Sequence, residues 1–197
     1  MLSLILAITF AYLIGSLSTA IITCKLLQLP DPRTQGSGNP GTTNVLRIGG
    51  KKAALITLMG DVLKGVIPVL CAKAYGFDIT ALNAIALAAF LGHLFPIFFH
   101  FQGGKGVATA WGCLTALYWP LGIALVLTWL IVAILSRYSS LAALITAFLA
   151  PFYAGYFAEE TTATTTAIMS LFLIYRHRAN IQRLWLGTEA KIKLKSK

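Results

Sequence analysis

The chain has 197 residues, 57% hydrophobic and only 11% charged, with a mean hydropathy of +0.78. A soluble domain carries roughly a quarter charged residues, and the same composition excludes disorder, collagen and coiled coil, so lipid is the solvent for most of this surface. Sixteen Lys and Arg against six Asp and Glu leave a net charge of +10; on so apolar a chain this points to topology and anionic ligands, not to nucleic acid, whose binders keep their basic face on a water-soluble fold.

Residues 2–24 are a nearly unbroken apolar run ending at Lys25, long enough at about 1.5 Å per residue to cross a hydrocarbon core of about 30 Å. No cation precedes the run, so the positive start of a cleaved leader is missing and the segment reads as a retained span. The next stretch, Gly36-Ser37-Gly38-Asn39-Pro40-Gly41-Thr42-Thr43-Asn44-Val45-Leu46-Arg47, interrupts helix and exposes backbone N–H groups able to form an anion-binding concavity. Arg47 adds a planar fork suited to phosphate oxygens. A connector whose asparagines cap the following helix is the alternative reading.

The second span, 53–75, contains Gly60-Asp61-Val62-Leu63-Lys64-Gly65. Asp61 and Lys64 share a helix face roughly 12 Å below the membrane surface by helix rise. Ionisable groups at that depth mark functional sites, and here they are assigned structural support of a site. The third span, 80–100, ends among His93, Phe95, Pro96, Phe98, Phe99, His100 and Phe101, a run that an interfacial aromatic belt explains; His93 joins Asp61 and Lys64 as a supporting residue.

Phe101-Gln102-Gly103-Gly104-Lys105-Gly106-Val107-Ala108-Thr109 then opens a span, 105–118, too short to cross alone. Its glycines let backbone amides approach an anion, Lys105 adds a point charge, and the following helix adds its N-terminal dipole. A nucleotide phosphate loop is excluded because Gly106 follows Lys105 where Ser or Thr should stand. Spans 119–136 and 138–157 flank the polar turn of Arg137, Ser139 and Ser140, and span 161–176 leads into Tyr175-Arg176-His177-Arg178-Ala179-Asn180. His177 and Asn180 are again three apart, and a histidine there can move a proton or bond phosphate. Residues 184–197 form a basic tail suited to anionic lipid.

The reading is an all-α integral membrane protein of about seven transmembrane helices, a single domain over 1–197. With the N-terminus outside and the C-terminus cytoplasmic, every Lys and Arg except Lys64 and Lys73 falls on the cytoplasmic side, and Asp78, Glu159 and Glu160 on the other. Cys24, Cys71 and Cys113 have no disulfide or zinc spacing, and no metal or other cofactor is expected.

Taken together, four motifs in order, 36–44, 60–65, 92–96 with 103–109, and 175–181, resemble the bacterial acyl-phosphate-dependent glycerol-3-phosphate acyltransferase family over essentially the whole chain. The resemblance implies transfer of a fatty acyl group from acyl phosphate to the 1-hydroxyl of glycerol 3-phosphate, giving lysophosphatidate and phosphate at the cytoplasmic side of the bacterial inner membrane. It implies substrate phosphates held by Ser37, Gly38, Asn39, Asn44, Arg47, Gly103, Gly104, Lys105, Gly106 and Ser140, with Ser37, Lys105, His177 and Asn180 catalytic. Membrane lipid and the enzyme that makes acyl phosphate are the candidate partners.

Rival acyl-transfer chemistry lacks its residues. Five positions after His93, His100 and His177 stand Phe98, Lys105 and Gln182, so no H-x-x-x-x-D pair exists, and no G-x-S-x-G elbow occurs. A transporter for a phosphorylated anion is the competing class, but it should show two matching halves.

Overall fold

The computed structural model describes residues 1–192; Lys193, Lys195 and Lys197 of the expected basic tail lie outside the described residues. These residues are helical with no β-strand among them, and they group into two compact units. The first holds α1 (Leu2–Gly15), α2 (Thr19–Leu26), α3 (Thr42–Tyr75), α4 (Ile79–Leu94), a 3₁₀ turn (Ile97–Phe99) and α5 (Val107–Leu117). The second holds α6 (Trp119–Ser136), α7 (Ser139–Phe157), α8 (Glu160–Arg176) and α9 (Arg178–Trp185).

The expected first span is two helices, α1 and α2, meeting at a 43° bend. Ser16 lies at this bend, its hydroxyl donating to the Tyr12 carbonyl at 2.8 Å, and the carbonyl of Leu17 accepts the Lys64 ammonium at 2.9 Å. No proline marks the break. Next, α3 begins at Thr42, eleven residues before the expected start, because Gly50 (φ 74°, ψ −169°) joins two helical legs. That backbone region is essentially restricted to glycine. The short leg carries Asn44 and Arg47; the long leg is the expected span.

Close backbone approach locks the first unit. A Cβ at Gly15 would overlap the Ala89 carbonyl, and one at Gly92 the Tyr12 carbonyl, so α1 and α4 pack through reciprocal glycines. Gly65 against Thr109 and Gly112 against Val62 do the same for α3 and α5. Small residues are the usual means of drawing membrane helices together. Here they bring the start of α5 beside the end of α4.

Among the described residues four elements are long and apolar enough to span a membrane, α3, α4 with its 3₁₀ extension, α6 and α7, and the bent pair α1 and α2 makes a fifth. The 11 residues of α5 rise only about 16 Å, as its expected shortness requires. The 17-residue α8 carries five threonines, of which Thr162, Thr165 and Thr166 are buried; Thr166 bonds back to the Thr162 carbonyl at 2.7 Å, which satisfies a hydroxyl in apolar surroundings. In the second unit, α7 packs against both α6 and α8, with Arg137 (φ 63°) turning the chain between α6 and α7.

Candidate functional site

In the first unit the residues from Asp31 to Gly41 form a loop that leads into the short leg of α3 and is organised from within and by Asn44 of that leg. Asp31 accepts the Arg33 backbone N–H at 2.9 Å and pairs with its guanidinium at 2.6 Å, which with these hydrogen bonds holds the carboxyl below the usual range against the effect of burial. The central residue is Asn44. Its amide nitrogen donates to the carbonyls of Pro32 (2.8 Å) and Gln35 (2.9 Å), and its amide oxygen accepts from the Ser37 N–H at 2.8 Å. Asn44 is 1% exposed. The side chain expected to touch phosphate is therefore committed to the loop backbone, and it presents Ser37, Gly38 and Asn39 instead. Ser37 and Gly38 are exposed, as is Arg47 one helical turn beyond Asn44.

The second loop, 95–106, is held against the end of α4. The Gly104 N–H donates to the His93 carbonyl at 3.3 Å and the Phe101 N–H to the Pro96 carbonyl at 2.9 Å. A Cβ at Gly103 would overlap the His93 carbonyl, and one at Gly106 (φ 87°) the Phe90 ring. The glycines are thus required by close approach, and Lys105 stands half-buried between two of them, two residues ahead of α5. A Cβ at Gly104 would also lie 3.0 Å from the Pro40 carbonyl. The structure accordingly brings the two glycine loops together at Gly104. The arrangement can present several backbone N–H groups, a helix N-terminus and a lysine to an anion.

Beneath this junction lies a buried polar cluster. Asp61 Oδ1 accepts from Lys64 Nζ at 2.9 Å and from the Thr19 hydroxyl at 2.6 Å, and lies 3.5 Å from His93 Nδ1. Asp61, Lys64 and His93 are 2%, 5% and 6% exposed. Their expected support of the loops has a physical route, since His93 is packed on Gly104. His100, by contrast, is exposed with φ 55°, so the aromatic-belt account suits it and not His93.

The second unit buries Ser140, His177 and Asn180, and gathers Ser140 and Asn180 around a residue that motif reasoning missed. Glu189 accepts from Ser140 Oγ (2.7 Å) and Asn180 Nδ2 (2.7 Å) through one carboxylate oxygen, and from Arg183 Nε (2.7 Å) through the other. The available signal was a lone acid in a basic segment, six residues after Arg183. His177 sits between α8 and α9, its Nδ1 donating to the Leu173 carbonyl at 2.8 Å. That bond places the hydrogen on Nδ1, so Nε2 is the nitrogen able to take a proton.

Burial works against ionised Glu189, but these hydrogen bonds and the Arg183 charge hold its carboxyl below the ordinary range. A lowered folded-state pKa stabilises the fold above the unfolded value, and the contribution fades as pH falls through the folded one. The hydrogen-exchange protection factors of residues 183–192, taken against the unstructured-chain rate at each pH, are therefore expected to fall on acidification in the wild type. In Glu189→Gln they are lower at neutral pH and nearly flat between pH 7 and pH 4. Equal acid sensitivity in both proteins would remove the carboxylate as the cause.

Residues 5–187 match the model of the glycerol-3-phosphate acyltransferase family. Relatives named glycerol-3-phosphate acyltransferase include those of Shewanella loihica, 54% identical with 95% of this chain and 92% of the relative covered, and Methylococcus capsulatus, 53% identical with 95% of each covered. A crystal structure of PlsY (YgiH), an integral membrane glycerol 3-phosphate acyltransferase in its glycerol 3-phosphate form, superposes with a TM-score of 0.91 at 38% identity. It covers 97% of this chain and 96% of that one. The lysophosphatidic acid form gives a TM-score of 0.89 at 37% identity.

Proposed function

We propose a reaction for this site on one premise: the chain belongs to the glycerol-3-phosphate acyltransferase family. It is an integral membrane enzyme that acylates glycerol 3-phosphate to lysophosphatidate. The donor we assign is acyl phosphate, and the membrane the bacterial inner membrane, crossed seven times with the N-terminus outside and the loops on the cytoplasmic side. The observation that carries the reading is the meeting of two glycine-rich loops at Gly104, beside Lys105. Both substrates of such a reaction bear phosphate, one soluble in cytosol and the other in lipid.

Acyl phosphate is already an activated mixed anhydride, so no acyl-enzyme is needed. The 1-hydroxyl attacks the acyl carbonyl, the carbonyl–phosphate bond breaks, and phosphate leaves. Catalysis then rests on alignment and on stabilising negative charge on the carbonyl and phosphate oxygens. We assign Arg47, Lys105 and Ser37, with the loop positions Gly38, Asn39, Gly103, Gly104 and Gly106 that let the backbone approach closely, to the phosphates, with Asn44 as the organiser of the first loop. In the second unit we assign Ser140 and Asn180 a part in substrate binding, both held in place by Glu189.

The proton released by the hydroxyl passes to a phosphate oxygen or to His177. General base catalysis contributes about 10²- to 10⁴-fold, so a His177→Gln variant slowed by that amount makes the histidine the acceptor, and one of near-normal turnover makes the phosphate the acceptor. The donor is tested with purified protein in detergent, radiolabelled glycerol 3-phosphate, and acyl phosphate or acyl-CoA in parallel. Lysophosphatidate from acyl phosphate alone is the expected result; formation from acyl-CoA alone overturns the assignment.

A further inference from the structure

The ring of His93 touches two parts of the first unit that the reaction scheme leaves unconnected. On one edge, Nδ1 lies 3.2 Å from the Thr109 hydroxyl and 3.5 Å from Asp61 Oδ1. The main-chain carbonyl of Asp61 can only accept, so the Thr109 hydroxyl, 2.9 Å away, commits its hydrogen there. Toward His93 both oxygens are then acceptors, and Nδ1 carries hydrogen. Lys64 and Thr19 in turn fix the carboxylate, so α2, α3 and α5 together set the tautomer and plane of this ring.

On the other edge, Nε2 and Cε1 face Gly104. A Cβ there would overlap Nε2 and come within 3.0 Å of Cε1. The His93 carbonyl also accepts the Gly104 N–H at 3.3 Å. Gly104 precedes Lys105 and abuts Pro40 of the first loop, so the ring bears on the residue where both loops meet.

We propose that His93 is a positioning residue: held by Asp61 and Thr109, its ring seats Gly104 and thereby sets Lys105 and the Pro40 loop for the substrate phosphates. The inference rests on the phosphate-binding reading of these loops. His93 needs no contact with substrate. Its action is steric and directional, as for the outer residues that orient a metal's ligands, and displacements near 1 Å are costly in such sites.

The test is a size exchange between ring and glycine. In wild type, Gly104→Ala is expected to cut acyl transfer at least about tenfold, because the new methyl meets the ring. His93→Asn keeps a donor toward Asp61 and removes the Nε2 and Cε1 edge. Alone, it is expected to raise the KM for glycerol 3-phosphate about fivefold with kcat within about twofold. In that background Gly104→Ala should cost less than about threefold, since two of the three atoms nearest the methyl belong to the ring and the third is the Pro40 carbonyl. His93→Ser is the second background should the asparagine variant not fold. Equal losses from Gly104→Ala with and without the ring, measured on proteins of matched thermal stability, overturn the proposal. Absence of lysophosphatidate from wild type in the same assay would instead overturn the donor assignment.

Discussion

Lys105→Ala is expected to slow lysophosphatidate formation about 10²- to 10³-fold, the loss typical of removing one preorganised group that stabilises charge in a transition state. Lys105 stands half-buried between Gly104 and Gly106 at the entrance to α5, where its charge adds to the helix dipole. The loop around it is fixed by glycine contacts and by the Gly104–His93 backbone bond, and thermal stability in detergent, measured beside the rate, separates lost catalysis from lost fold. Lys105→Arg restores charge but brings a broad planar fork into a glycine-tight loop, and an intermediate rate, about tenfold below wild type, is expected. Near-normal turnover by the alanine variant would exclude Lys105 from phosphate binding.

Lys64→Met carries the largest expected loss of stability. It leaves Asp61, 2% exposed, with the Thr19 hydroxyl and the His93 ring but without its countercharge. Breaking a buried pair from one side typically costs about 3–5 kcal/mol, while removing both charges is far milder. The double variant Asp61→Asn, Lys64→Met should therefore be clearly more stable than Lys64→Met alone in thermal unfolding of the micellar protein. A double variant as unstable as the single one would show that lost packing, not an uncompensated carboxylate, is responsible.

Apolar runs made much of this architecture legible. Residues 119–136 emerge unchanged as α6, and the shortness of the segment after Lys105 anticipates the 11-residue α5. Hydropathy counts greasy residues but does not register backbone direction, so the bend at Ser16–Ser18 and the glycine joint at Gly50 were hidden in it. Site residues were legible by type more than by use. Gly103, Gly104 and Gly106 stand where close approach demands them. Asn44 has the right chemistry for an anion but faces inward, because three loop backbone groups compete for its amide. Glu189 escaped notice because its partners come from α7 and α9, and nothing local in the sequence announces that meeting.

The carbonyl of Leu17, turned toward Lys64 by the bend between α1 and α2, bears on the history of the chain as it is made. Lys64 finds this acceptor 47 residues upstream, and Asp61 finds Thr19 42 residues upstream, both in the bent pair α1 and α2, which leaves the ribosome before α3. When α3 enters the bilayer with an ammonium and a carboxylate aboard, their polar neighbours are already embedded. Thr109 and His93, synthesised later, close over a pair that is by then neutralised. The earlier-made pair α1 and α2 thus acts as receiving dock for charge that lipid would otherwise reject.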